Sequence, residues 1–323
     1  MAAPAGTPSA SGPRPTTVCT VTDGRLTELS GMVRTPDGFV VIDDGSSDAS
    51  HWRIFFLNNR CAVTRAVRYP STPRDTEDLA RAPDGTIWVA DIGDNNQNRQ
   101  TVALWRLAPC SPAPQCANPP VLYRLTYPDG PHDAEALVLA GDGTPVIATK
   151  DPFTTRLYQP DGPLRTDQPV PMHSVGEFAL PGTGTSNPFG LAGRAVVTGG
   201  ADSPDGSRVV LRTYADAFEF PVTGGDVVRA ITTGTPVRIP LPDEPQGESV
   251  AYDSDGVSLL TVSEGRRPPI LRYPRVAPSP RRPADSGTHR SPRYTVAWVA
   301  GIAGLVALGA VVGALIAAVR RRR

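Results

Sequence analysis

Arg74-Asp75-Thr76-Glu77-Asp78-Leu79-Ala80, the turn Pro83-Asp84-Gly85, the run Thr86-Ile87-Trp88-Val89-Ala90 and Asp91-Ile92-Gly93-Asp94-Asn95-Asn96 together decide the fold. The stretch reads as strand, tight turn, strand. Leu79, Ile87 and Val89 supply its apolar positions. Asp-Gly is a hairpin turn because glycine tolerates positive φ. A hairpin returns on itself, so Asp75 and Glu77 are expected beside Asp91 and Asp94, at the end away from the turn. None of these acids is needed to form the hairpin.

The pattern recurs. Asp-Gly turns end at Gly38, Gly85, Gly143, Gly206 and Gly256, spaced by 47, 58, 63 and 50 residues. Eight residues before each glycine stand Ser30, Glu77, Glu135, Thr198 and Glu248; two further back stand Glu28, Asp75, Asp133, Val196 and Gln246. Six to eight residues after it come Asp44, Asp91, Thr149-Lys150, Arg212-Thr213 and Ser263-Glu264. Repeats of about 40–50 residues built from short strands indicate a β-propeller, one four-stranded blade per repeat. The chain is therefore expected to be all-β, a propeller over residues 17–275 with five visible blades. A sixth could hide within 155–195. The lone strand Thr17–Thr22 is expected to complete the last blade and remove an exposed sheet edge.

Asp75-Thr76-Glu77-Asp78-Leu79-Ala80 followed by Asp91-Ile92-Gly93-Asp94-Asn95 and Arg99 resembles a family of bacterial secreted β-propellers of the phytase-like, or "esterase-like activity of phytase", type. Glu135-Ala136-Leu137 with Thr149-Lys150, Ser203-Pro204-Asp205-Gly206 with Arg212-Thr213-Tyr214, and Gly247-Glu248 with Ser263-Glu264-Gly265 look like its later motifs. The resemblance covers about residues 26–275. Asp43-Asp44-Gly45-Ser46 departs from the usual Asn-Asp-Ser-Gly. The resemblance implies a propeller and carries over no proven catalytic residue.

At 323 residues the chain fits one propeller plus tails, and its net charge of zero gives no footprint for nucleic acid. Lys150 is the only lysine, a bias that a GC-rich genome explains, yet it survives at a repeated motif position. Residues 1–16 are small and proline-rich and are expected to be disordered. Ala2-Ala3-Pro4-Ala5 resembles the end of a signal peptide, so an upstream leader is expected. Residues 276–294 read as a Pro/Ser-rich linker. Residues 295–319 carry no charge and are long enough to span a bilayer as a helix, with Tyr294 and Trp298 at one boundary. Arg320 to Arg323 are expected on the cytoplasmic side, which places the propeller outside the cell membrane. The competing reading is a tail-anchored cytosolic protein. An even count of four cysteines suits an oxidising compartment; Cys110–Cys116 and Cys19–Cys61 are the expected pairs, against buried free thiols.

First strands line the channel of a propeller. Their common register predicts that Glu77, Glu135 and Glu248 converge at one channel mouth, as a metal site. Carboxylates so placed repel and must be protonated, paired or metal-bound. Asp75, Asp91, Asp94, Asn95, Asp133, Lys150, Arg212, Glu264 and Asp44 are expected around them as a ligand-binding face. Mixed carboxylate and amide oxygens suit calcium; scarce histidine argues against zinc. A plainer account makes the acids structural clamps, neutralised by Lys150, Arg212 and Arg99. His132, beside Asp133, is a candidate general base, against a surface loop position. No Gly-x-Ser-x-Gly elbow marks a serine nucleophile. Two functions follow: a membrane-anchored binding module for a small molecule or envelope component, or a calcium-assisted hydrolase of a phosphate ester or lactone.

Overall fold

Asp-Gly turns shape the molecule by returning each innermost strand onto the next. Gly85 (φ 90°) and Gly143 (φ 85°) take the left-handed backbone that such turns demand. The computed structural model describes residues 14–45, 48–109 and 118–275. The pair Cys110–Cys116, the 276–294 linker, the apolar run 295–319 and the arginine tail lie outside the described residues. Among the described residues no helix is long and apolar enough to cross a membrane.

The chain opens with β1 (Thr16–Thr20). Blade one holds β2 (Leu29–Thr35), β3 (Gly38–Asp43), β4 (Arg53–Asn58) and β5 (Val63–Arg68). Blade two holds β6 (Asp78–Arg81), β7 (Ile87–Asp91), β8 (Val102–Leu107) and β9 (Val121–Thr126). Blade three holds β10 (Ala134–Leu139), β11 (Pro145–Thr149), β12 (Thr154–Pro160) and β13 (Val170–Ala179). A short helix, α1 (Gly190–Arg194), precedes blade four: β14 (Gly199–Asp202), β15 (Arg208–Arg212), β16 (Asp216–Pro221) and, after α2 (Val227–Thr233), β17 (Val237–Pro240). Blade five is β18 (Gly247–Tyr252), β19 (Leu259–Ser263) and β20 (Pro269–Tyr273), completed by β1 against β20.

Among the described residues the blades number five. The stretch 155–195 conceals no sixth; it is spent on β12, the ten-residue β13 and α1. The first strands β2, β6, β10, β14 and β18 pack each against the next, and β18 against β2, so the ring closes. Each seam has its own apolar core. Val40 and Trp105 meet between blades one and two, and Leu104 and Ile147 between two and three. Val138 and Phe220 meet between three and four, Leu241 and Tyr252 between four and five, and Met32 and Val262 between five and one. Strands buried on both faces explain the unbroken burial of β3, β10 and β18. Blades two and three also join at their outer edges. There β13 runs parallel to β9, Val170 opposite Leu125, so the eight strands form one sheet. A Cys19–Cys61 disulfide ties β1 to the loop between β4 and β5.

Every first strand starts with a β-bulge. Register skips Ser30, Glu135 and Glu248. Glu77 and Thr198 donate backbone N–H groups to Ala90 and Arg212, which already oppose Asp78 and Gly199. The residue eight positions before each turn glycine is therefore the extra residue of a bulge, which re-aims its side chain.

Candidate functional site: the acidic mouth

The bulges sit at the end of the ring away from the Asp-Gly turns. Ser30 Oγ donates to Thr76 O, and Thr198 Oγ1 to Gly247 O, so in blades one and four the bulged side chain clamps the next blade. In blades two, three and five it is a buried glutamate.

Glu77 has the barest surroundings. Its Oε1 is buried with no hydrogen-bond partner. Carboxylate oxygens of Asp44, Asp75 and Glu77 all lie within 4.8 Å of one another, close enough to share one ion. Two glycines make the room. A Cβ on Gly93 would stand 2.1 Å from Glu77 Oε1 and 2.6 Å from Asp75 Oδ2; one on Gly45 would stand 2.5 Å from Asp75 Oδ1. Burial, and then the charges of Asp44, Glu135 and Asp75, push the Glu77 carboxyl well above the usual carboxylate range. The donor set is all oxygen, so the residues fit a hard cation such as calcium.

Glu135 and Glu248 are engaged differently. Glu135 Oε1 pairs with the Lys150 ammonium. Burial alone would lower the lysine, but Glu135, Tyr214, Glu248 and Asp133 raise it well above its ordinary value. That ammonium stands 5.7 Å from the centre of the Tyr214 ring. The Tyr214 hydroxyl donates to Glu248 Oε1 at 3.0 Å, as does Gln246 Nε2 at 3.1 Å, while Glu248 Oε2 is buried with no hydrogen-bond partner. The three glutamates thus face one mouth as a chain: Glu77 and Glu135 feel each other's charge, as do Glu135 and Glu248. Two ion-sized clusters occur among the described residues, Glu28 with Asp43 and His51, and Glu77 with Asp44 and Asp75; Glu135 and Glu248 belong to neither.

Other expected ligands serve as braces. Asp91 accepts from the backbone N–H groups of Arg74 and Asp75, from Trp105 Nε1 and from Arg99 Nη2. Asp94 Oδ2 accepts from the Arg99 N–H, and Asp133 Oδ1 accepts from the Asp94 N–H. Arg212, fully buried, ion-pairs with Glu244 at 3.1 Å and donates to Ser249 O. Glu244 stands outside the repeat frame, so register could not reveal it. Glu264 donates its backbone N–H to Gln246 O, and its charge opposes ionisation of Tyr214. Asn95 is exposed, on a cleft of about 210 Å³ lined also by Arg74, Asp75, Asp94 and Asn98. His132 is a buried residue. Its Nε2 lies 3.0 Å from Asp129 Oδ1 and 3.1 Å from the Tyr158 hydroxyl, and Tyr127 packs edge-on to its ring.

No protein-family model matches the chain, and no curated protein matches it in sequence. Among solved structures it is similar to the PQQ-bound aldose sugar dehydrogenase of Streptomyces coelicolor, at 13% identity and TM-score 0.45, covering 82% of this chain and 99% of that one. It is similar to a glucose dehydrogenase at 11% identity and TM-score 0.44, covering 82% and 100%. A gluconolactonase of Xanthomonas campestris gives 14% identity and TM-score 0.39, covering 73% and 68%. These likenesses are too distant to say anything of activity. The five-blade assignment rests on the sheet topology, and the phytase-like resemblance rests on the motifs alone.

Proposed function

We propose that the acidic mouth holds one calcium ion between Asp44, Asp75 and Glu77, and that the ion and its polar surroundings bind a small molecule or a component of the cell envelope. The observation that carries this is Glu77 Oε1, a buried carboxylate oxygen without a hydrogen-bond donor, seated against Gly93 where a Cβ would stand 2.1 Å away and within reach of the Asp44 and Asp75 carboxylates. A buried charge left so is costly, and a cation offsets the cost. We further propose, from the uncharged apolar sequence of residues 295–319 and the four arginines after it, that this run anchors the protein in the membrane with the propeller outside. The Cys19–Cys61 bond supports an oxidising compartment. Titrating calcium into the full-length protein in a calorimeter tests the site. Saturable heat in wild type that Glu77→Gln weakens at least about tenfold supports it. No heat in wild type, with Glu77→Gln less stable by itself, leaves Glu77 a structural clamp.

A second reading, a calcium-assisted hydrolase of a phosphate ester or lactone, is favoured by the buried Lys150–Glu135 pair next to Glu77. Calcium, when bound, would polarise an ester oxygen. Lys150 holds a proton beside that position, and Tyr214 keeps Glu248 oriented. Calcium-dependent turnover of a lactone or phosphomonoester, lost in Glu135→Gln, would establish it. Calcium binding without turnover of either leaves the binding module.

A further inference from the structure

The opposite mouth of the ring, on the side of the Asp-Gly turns, contains a cavity of about 630 Å³. That volume is typical of small-molecule sites. The ends of all five first strands line it, with Val33, Leu79, Leu139, Ala201 and Ala251 giving an apolar wall. Two kinds of polar group break that wall. The first is Asp202, at the end of β14. Its Oδ2 accepts from the Leu139 N–H at 2.8 Å, while its Oδ1 is buried with no hydrogen-bond partner. A buried acceptor left without a donor is destabilising, and a ligand donor would relieve it. The second is an arginine rim. Arg34 is engaged by Asp253, and Arg208 donates to Gly256 O. Arg81 is exposed, and among the described residues no hydrogen bond or ion pair engages its guanidinium.

We propose that this turn-side cavity is a second binding site, separate from the acidic mouth, for a small hydroxyaryl carboxylic acid. The ring fills the apolar wall, the hydroxyl donates to Asp202, and the carboxylate meets Arg81 and Arg208. Guanidinium groups recognise carboxylates through paired N–H donors. A site holding a lone buried acceptor discriminates strongly against an analogue without the matching donor. The Asp202 carboxyl is pushed up to about 7 by burial, so near neutrality it alternates between accepting and donating toward a hydroxyl. None of this depends on the calcium proposal.

Three probes titrated into the full-length protein test it: 4-hydroxyphenylacetate, phenylacetate without the hydroxyl, and tyrosol without the carboxylate. The first should bind saturably, and each of the others about tenfold more weakly or worse. Asp202→Ala, which removes both carboxyl oxygens and leaves nothing for the hydroxyl to bond, should erase the advantage of the hydroxyl. Arg81→Ala should erase that of the carboxylate. Thermal melts confirm that both variants are folded, and Glu77→Gln should bind all three probes as wild type does. The idea is overturned by no saturable binding of 4-hydroxyphenylacetate up to about 10 mM. It is equally overturned by affinities unchanged in both folded variants, or by loss of binding in Glu77→Gln, which would place the ligand at the acidic mouth.

Discussion

Gly93 sets the acidic mouth by what it lacks. A methyl group there would stand 2.1 Å from Glu77 Oε1, so Gly93→Ala must displace the carboxylate. In the calcium reading, saturating calcium raises the stability of wild type by mass action, about 2.7 kcal/mol at a hundredfold excess over Kd. Gly93→Ala is expected to lose most of that gain in thermal melts with and without calcium. An undiminished gain would move the ion elsewhere. Asp202 makes a prediction of opposite kind. Its folded-state carboxyl sits at about 7 against an ordinary 3.8, raised by burial. The native state therefore holds a proton that the unfolded chain has released, and this contribution to stability is full at low pH. It is lost as pH climbs through about 4 to 7 and is flat above. Asp202→Asn should flatten that part of the stability profile in urea titrations run across pH; a profile unchanged in this window counts against the buried protonated acid. Glu77, Glu135 and Glu248 were legible in the sequence because each keeps one distance from its turn glycine. Glu244, the partner of Arg212, was not, because it lies in the loop before β18 and shares no register with any other blade.

The hairpin was the most readable element, since alternation and Asp-Gly chemistry are both local. The bulge was invisible, because an extra residue shows only against the strand opposite it. With the bulge, Glu77 and Asp78 are adjacent yet both buried. Glu77 serves the mouth, and Asp78 turns into the ring, where its Oδ2 accepts from Leu137 of β10 at 2.9 Å and from Gly200 of β14 at 3.0 Å. One carboxylate thereby holds three blades. Burial pushes it well above the carboxylate range, against the pull of those N–H groups. Asp78→Ala strands three buried donors, the N–H groups of Leu137, Gly200 and Leu79, and should cost about 2–4 kcal/mol by urea denaturation. A loss below about 0.5 kcal/mol would show that the ring does not depend on this brace. The parallel contact of β13 with β9 was equally out of reach, as it joins the outer edges of two blades whose inner strands alone carry the repeat.

The whole ring is closed at one place twice, by β1 completing blade five and by Cys19–Cys61 fastening that strand to blade one. A loop of 42 residues closed by a disulfide restricts the unfolded chain by about 4 kcal/mol. Replacing both cysteines by serine should reduce stability by an amount of that order, read from urea midpoints, and added reductant should do the same to wild type. Equal midpoints with and without reductant would mean that β-pairing alone seals the ring. The closing strand was foreseeable, for it follows from the need to cover an edge; repeat length left the blade number at five or six, because the long third repeat had room for another blade. That β1 lies antiparallel to β20, Thr16 opposite Arg272, has a further meaning. The two ends of the propeller are neighbours, so the order in which the blades are synthesised is a convention of where the chain happens to be cut. A circular permutant that joins the ends and opens at Gly162, an exposed turn with nothing within 4 Å of its missing Cβ, would move the mixed-origin blade from the fifth position to the third. The same two mouths would then be reached by a different itinerary along the gene.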